Sequence, residues 1–244
     1  MVDSAVPAVM TALIMPKNGC SVADLQLTDT HAVPRYGTDA AAPTSLNPVL
    51  CKVHWAALQP ADRFIMEVAD PPEMFDMKLP HVLGMDFAGT VAEVPPGAGA
   101  GAGDGAGADT VFKVGDRVCG LTGLCKPGGG TLAQYCSVPA DCLAKVPDDV
   151  PLAEAATLPC CALTAAAAVW EHLALDKERK SSNAGTTLLV YGAATCVGQF
   201  AIQLAKLAGA TGAWSLLRVC DMLHALSAHI LWLCQRPTSG PKIG

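Results

Sequence analysis

One stretch constrains this chain more than any other. Leu188-Leu189-Val190-Tyr191 runs into the turn Gly192-Ala193-Ala194-Thr195-Cys196-Val197-Gly198, then into Gln199-Phe200-Ala201-Ile202-Gln203-Leu204-Ala205-Lys206. A short continuous apolar run predicts a strand buried on both faces of a parallel sheet. The Ala/Leu/Ile pattern after it predicts a helix over Gln199 to Ala208. Strand, tight turn and helix in that order are what a dinucleotide site needs. Small residues let the backbone approach a pyrophosphate, and a helix N-terminus offers unpaired N–H groups at its positive end. Ala193, Thr195 and Gly198 stand at the places of the three glycines of a Gly-x-Gly-x-x-Gly fingerprint, and only the last is Gly. Taken alone, the stretch also fits an ordinary strand-to-helix turn of another α/β protein. A P-loop is excluded, because Gln199-Phe200 follows Gly198 where Lys-Ser/Thr is needed. A Tyr-x-x-x-Lys pair is excluded too: Tyr36, Tyr135 and Tyr191 are followed four places on by Ala40, Pro139 and Thr195.

The chain before this stretch has a different character. Residues 8–15, Pro48 to Leu58, Phe87 to Val94, Asp116 to Gly120 and Leu132 to Val138 read as strands punctuated by Gly and Pro. In the second of them Val49, Cys51, Val53 and Trp55 alternate with Leu50, Lys52 and His54. Residues 16–46 read as polar and irregular. Residues 97–108 hold six glycines in twelve positions and predict a flexible hairpin tip or insertion. The last two strands are split by Pro127-Gly128-Gly129-Gly130. Short strands of this kind predict a partly open β-barrel over residues 1–150. From Pro151 to about Leu173 an Ala/Leu-rich run predicts helix, and Lys177 to Ser182 a polar linker. The fold class expected is therefore α/β. A barrel domain (1–150) precedes a doubly wound parallel domain (151–244).

Composition narrows the function. Apolar residues make up 51% of the chain and charged residues 16%, which excludes a disordered chain. The net charge of −6 argues against a nucleic acid or an anionic membrane as partner. The 11 cysteines include no Cys-x-x-Cys. Cys119, Cys125, Cys136 and Cys142 are spaced too widely for a zinc ribbon or knuckle, so reduced, mostly buried thiols of an intracellular protein are expected. The six histidines, 31, 54, 81, 172, 224 and 229, share no spacing. The apolar stretch Ala5 to Met15 lacks a basic flank. The longest apolar run, Ala155 to Trp170, is shorter than a bilayer span. A cytoplasmic protein is expected.

Six blocks in order carry a resemblance. They are Leu50-Cys51-Lys52-Val53-His54-Trp55-Ala56-Ala57-Leu58-Gln59-Pro60-Ala61-Asp62, Leu83-Gly84-Met85-Asp86-Phe87-Ala88-Gly89-Thr90-Val91, Val114-Gly115-Asp116-Arg117-Val118, Gly130-Thr131-Leu132-Ala133-Gln134-Tyr135, Glu154-Ala155-Ala156-Thr157-Leu158-Pro159, and the strand–turn–helix above. In these blocks the chain resembles the zinc-independent medium-chain dehydrogenases/reductases. The branch it resembles is that of quinone reductases and fungal trans-acting enoyl reductases, which serve polyketide synthases. The resemblance implies a GroES-like domain, then a Rossmann domain, with the active site in the cleft between them and NADPH as hydride donor. Zinc-dependent relatives carry Gly-His-Glu where this chain has Gly84-Met85-Asp86, and Cys where it has Gln59. An imidazole and a thiolate ligand are thereby lost, so no metal is expected.

The resemblance also implies roles. Gln59, Pro60 and Asp62 border the nicotinamide, Thr164 the cofactor, and Gly192, Ala193, Ala194, Thr195, Cys196, Val197 and Gly198 the phosphates. Thr157, Leu158, Pro159, Cys160 and Cys161 line the acyl pocket. Thr195 would add a hydroxyl donor. For Thr157 and Thr164 a local hydrogen bond within their own helix is the competing reading. Tyr135 and Tyr191 read as core, Asp116 and Arg117 as a structural turn and surface pair, and no proton donor is assigned. Without a Lewis acid, reduction of an activated C=C is the reaction expected. Its substrate would be a small or acyl-carrier-bound enoyl compound or a quinone-like one, and a polyketide synthase would be the partner. From about residue 211 the resemblance stops. No Asp or Glu lies about 20 residues beyond Gly192. Leu216, Val219, Leu223, Leu226, Ile230 and Leu233 have helical spacing, so residues 214–234 read as an amphipathic helix or as unrelated sequence. Only 58 residues run from Thr187 to Gly244, too few for a complete dinucleotide fold. A C-terminally truncated chain is expected, with a non-catalytic fragment, acting as an interaction module or not stably folded, as the second reading of its function.

Overall fold

The computed structural model of the chain describes residues 6–34, 48–68, 78–94, 112–122, 130–175, 178, 180–216 and 232–235. The chain divides into two compact units, Met1–Pro159 and Cys160–Gly244.

The first unit is the expected curled antiparallel structure. One sheet orders β2 (Gln26–Ala32), β1 (Val9–Met15) and β4 (His81–Val82). The other orders β7 (Tyr135–Pro139), β3 (Pro48–Ala57), β5 (Asp86–Glu93), β6 (Arg117–Leu121) and β8 (Leu143–Lys145). Residues 130–134 stitch the two together. Leu13 N–H donates to Leu132 O at 2.9 Å, Gln134 N–H to Thr11 O at 3.1 Å, and Val53 N–H to Gln134 O at 2.9 Å. Half of the strand expected over 132–138 is thus a bridging segment, and the other half is β7. β4 and β7 pair with only part of β1 and β3, and this segment supplies partners to the backbone groups of those strands that they leave open.

The core forms where β3 meets β5 and β7. Val49, Cys51, Phe87, Val91, Val118, Cys136 and Val138 are buried together. Leu50 is buried as well, on the opposite face, with Met10 and Val33. The alternation expected along β3 fails at Trp55, which is 56% exposed. A register shift between Val53 and Trp55 in the β3–β5 ladder re-aims that side chain. The irregular reading of residues 16–46 is corrected at β2, a strand that its exposed, polar sequence concealed. Its order comes from antiparallel pairing with β1, not from a buried face. The Gly-rich run 97–108 and Pro127-Gly128-Gly129 lie outside the described residues.

The helix expected from Pro151 to Leu173 is three pieces: α2 (Leu152–Ala155), α3 (Pro159–Ala166) and a π-helical turn, Ala167–His172. Pro159 lacks the N–H that would continue α2. Ala155 and Ala156 pack with Ala88 and Val146 of the first unit, so α2 belongs to the barrel.

In the second unit β9 (Thr187–Tyr191), α4 (Cys196–Leu207) and β10 (Gly212–Leu216) make one parallel βαβ unit. Leu188 and Val190 pack against Ala165, Val169, Ala201 and Ala205, while Leu189 and Tyr191 are half-buried. β11 (Trp232–Gln235) pairs antiparallel on the other edge of β9. The helix read over residues 214–234 is therefore corrected at both ends, where 214–216 and 232–235 are strands. The edges of β9 present backbone donors and acceptors that a ladder satisfies, and this overrides helical spacing. Residues 217–231 lie outside the described residues. Among the described residues no helix is long and apolar enough to cross a membrane.

Candidate cofactor-binding site

The turn after β9 is built by two glycines and one threonine. Gly192 has φ +84°, a left-handed conformation that reverses the chain at the end of the strand. Gly198 sits where a Cβ would lie 2.4 Å from Gly192 O and 2.8 Å from the Ala193 Cα. No side chain fits there, so the first turn of α4 packs directly on the strand end. Thr195 is the N-cap. Its hydroxyl accepts from Gly198 N–H at 3.1 Å and donates to Gly192 O at 2.8 Å. The helix accordingly starts at Cys196, three residues before the sequence pattern placed it.

The consequence for ligand binding is specific. The Thr195 hydroxyl proton is already bonded to Gly192 O, so the extra hydroxyl donor expected there is committed to the turn. Among the described residues the N–H groups of Cys196 and Val197 have no acceptor. They are first-turn amides at the positive end of α4. Ala194, Thr195 and Cys196 are exposed, Val197 is half-buried, and Ala193 and Gly198 are buried. The cradle is thus made of backbone, and its residues suit an anionic phosphate group.

In the first unit Gln59 caps α1 (Pro60–Glu67), with Pro60 at its first position. The Gln59 backbone N–H donates to Asp62 Oδ2 at 2.7 Å. Its side-chain Nε2 donates to Asp86 Oδ2. Asp86, at the start of β5, is fully buried. Sequence reasoning assigned it no role. Its signal was a lone carboxylate beside Phe87-Ala88 in a buried strand. Gly84 prepares this corner with φ +100°, and a Cβ there would lie 2.4 Å from the Thr131 hydroxyl.

Burial pushes the Asp62 carboxyl above its ordinary pKa of 3.8, and the N–H groups of Gln59 and Gly84 oppose that shift. A raised folded pKa gives stability that is complete below pH 3.8 and lost as the pH rises through the folded value. Asp62→Asn keeps an acceptor for the Gln59 amide and carries no charge. Its stability relative to wild type is expected to grow as the pH rises from about 3.5 to about 7. Urea midpoints at the two ends check this, and a pH-independent difference would contradict it.

The remaining expected residues are placed as follows. Thr157 is exposed and its hydroxyl donates to Glu154 O at 2.8 Å; Thr164 is exposed and donates to Cys160 O at 2.7 Å. Of their two readings, the structure shows the local bond. Leu158 is exposed, Pro159 and Cys161 are buried, and Cys160 is half-buried. Tyr135 and Tyr191 are half-buried. Asp116 pairs with Lys145 at 2.9 Å, and Arg117 donates to Pro147 O and Val150 O, so both hold the start of β6 to β8 and the residues that follow β8.

Comparison with known proteins identifies relatives. Residues 46–148 match the alcohol dehydrogenase GroES-like domain. The chain is 37% identical over 135 residues to the trans-enoyl reductase phm4 of Pyrenochaetopsis, covering 53% of this chain and 34% of that protein. It is 36% identical over 169 residues to the chloroplast envelope quinone oxidoreductase homolog of Arabidopsis thaliana, covering 68% and 42%. An alcohol dehydrogenase superfamily protein of Novosphingobium aromaticivorans superposes with a TM-score of 0.60 at 31% identity, covering 84% of this chain and 52% of that one. A mycobacterial protein solved with NADPH gives 0.56 at 26%, covering 84% and 58%.

The chain carries the alcohol dehydrogenase GroES-like domain and is homologous to trans-enoyl reductases and quinone oxidoreductases.

It spans between a third and about half of the length of the curated relatives it matches. The alcohol dehydrogenase GroES-like match takes in β3 through β8 with Gln59, Asp62 and Asp86. The Gly192–Gly198 turn lies after it, in the βαβ unit.

Proposed function

We propose that this chain serves an NADPH-dependent oxidoreductase that reduces an activated C=C bond without a metal. The observation that carries the reading is the turn at Gly192–Gly198, closed so tightly that a methyl at Gly198 would overlap Gly192 O. That closure presents the Cys196 and Val197 amides to a phosphate. The relatives named trans-enoyl reductase and quinone oxidoreductase support the reaction class. The mycobacterial structure solved with NADPH supports the cofactor. An enoyl thioester, free or on an acyl carrier, or a quinone-like acceptor is the substrate proposed. A polyketide synthase in the cytoplasm is the proposed partner.

NADPH supplies a hydride when bound. The chain's residues do the rest. Backbone amides at 196–197 hold a phosphate without a basic side chain, which suits a chain of net charge −6. Gln59 offers a carboxamide whose Nε2 is held by Asp86, a neutral group that orients a ligand by hydrogen bonds. A carboxamide hydrogen-bonded to Asp86 stands in place of a thiolate ligand, and this chemistry supports the metal-free reading.

Cys196 supplies a test that needs no substrate. It is exposed at the first position of α4, and Cys142, exposed in the first unit, serves as internal control. Iodoacetamide labelling of both is followed by peptide mass spectrometry. NADPH at about 100 times its Kd is expected to slow alkylation of Cys196 at least tenfold and to leave Cys142 unchanged, while adding about 2.7 kcal/mol to stability. Equal Cys196 rates with and without millimolar NADPH would reject the reading. Cys51, whose pKa burial raises to about 12, and Cys136, raised well above 9.0, stay unlabelled in the native chain.

A further inference from the structure

Two buried carboxylates converge on one residue. Asp62, from the first turn of α1, takes the backbone N–H of Gln59 at 2.7 Å. Asp86, from β5, takes its side-chain Nε2. The strand pairing explains the meeting. Asp86 stands opposite Ala57, the last residue of β3, and opposite Leu121 of β6. The chain leaves the sheet at Ala57 and turns into α1 three residues later, which folds the Gln59 side chain back onto Asp86. Burying a carboxylate is strongly unfavourable unless hydrogen bonds compensate it. The half-buried carboxamide of Gln59 is one group that does so. Asp86 is 0% exposed and its strand neighbours Phe87 and Ala88 are also fully buried. An apolar residue would pack at this position without that cost.

We infer that Asp86 is a positioning residue: it fixes the plane of the Gln59 carboxamide, and which end of it carries nitrogen, so that the amide meets a ligand in one orientation. A free carboxamide rotates about its terminal torsion and exposes donor and acceptor interchangeably. A carboxylate accepts only, so Nε2 must face Asp86 and Oε1 must face away from it. The inference rests on the proposed role of Gln59 beside the nicotinamide, and it adds the group that sets that residue's polarity.

The experiment uses the full chain, labelled with 15N, and NADPH as the probe. Loss of one side-chain amide pair in Gln59→Ala assigns the Gln59 Nε2 protons. In wild type one of these protons is expected well downfield and slowed in exchange. Asp86→Ala is expected to return it to the position of a solvated amide and to weaken NADPH binding at least tenfold by fluorescence titration. Asp86→Asn still offers an acceptor and guards against a variant that fails to fold. It is expected to keep Tm within a few degrees and recover a partial shift, with affinity three- to tenfold below wild type. A Gln59 resonance that ignores both substitutions overturns the inference. So does NADPH binding that stays at the wild-type level while the resonance moves, which would make the pair purely architectural. A wild-type chain with a shifted Gln59 resonance and no NADPH binding removes the cofactor reading instead, and the positioning role falls with it.

Discussion

Replacing Gly89 with alanine is expected to unfold the barrel of the first unit. Gly89 lies mid-strand in β5, paired with Val53 of β3 on one side and Val118 of β6 on the other. A Cβ built there would stand 1.9 Å from Lys52 O, 3.0 Å from Lys52 C and 3.2 Å from the Val53 Cα. All three are backbone atoms, so no side-chain rotation relieves the overlap. Relief requires β3 and β5 to separate at the centre of the core that holds Val49, Cys51, Phe87 and Val91. A loss of about 4 kcal/mol or more is expected, in the range that few single substitutions reach. Against a total stability of about 5–15 kcal/mol this leaves little or no folded chain. Gly115→Ala provides the contrast. Gly115 has φ +92° but nothing within 4 Å of its Cβ position, so that variant bears backbone strain alone, about 1–2 kcal/mol. Urea denaturation of the two variants decides the matter. A Gly89→Ala chain no less stable than Gly115→Ala would mean that β3 and β5 do not approach as described.

Gly198→Ala is expected to abolish useful cofactor binding while the chain stays folded. The added methyl meets Gly192 O and the Ala193 Cα, so the first turn of α4 must move off the end of β9. That movement breaks the Thr195 cap, whose hydroxyl bridges Gly192 O and Gly198 N–H. It also re-aims the Cys196 and Val197 amides. A fall in NADPH affinity of about 100-fold is expected, equivalent to about 2.7 kcal/mol. Fluorescence titration and loss of cofactor protection at Cys196 both read it. Thr195→Ala separates the cap from the closure. It removes the side-chain bond for about 1 kcal/mol and leaves Gly198 able to pack on the strand, so a smaller loss of affinity is expected. Wild-type affinity in Gly198→Ala would show that the turn does not contact the cofactor.

These two glycines also mark how legible the chain is. Gly198 could be read from sequence, because a strand, a small-residue turn and a helix follow one another within about 20 residues and the constraint is local. The strands β1, β3, β5 and β6 were legible for the same reason: apolar residues cluster in them between Gly and Pro. β2 was not, since it is exposed on both faces and its order comes from a partner strand. β10 and β11 were not, since the leucine spacing of residues 214–234 resembles a helix while the open edges of β9 set the outcome at its two ends. The helical run from Pro151 was legible as helix but not as three pieces, one of which packs on the barrel.

The candidate site divides along the same line. Sequence alone determined that a strand ends at Tyr191 and that a small-residue turn follows, and the resemblance set Gln59 and Met85 where zinc-dependent relatives carry a thiolate and an imidazole. It did so because backbone conformation and side-chain chemistry are properties of neighbouring residues. Tertiary structure alone decided that Gly89 lies against the backbone of Lys52 and that Asp86 meets Gln59 across 27 positions of chain. Those contacts depend on which strands pair and in what register, and register is fixed by the whole sheet rather than by any segment within it.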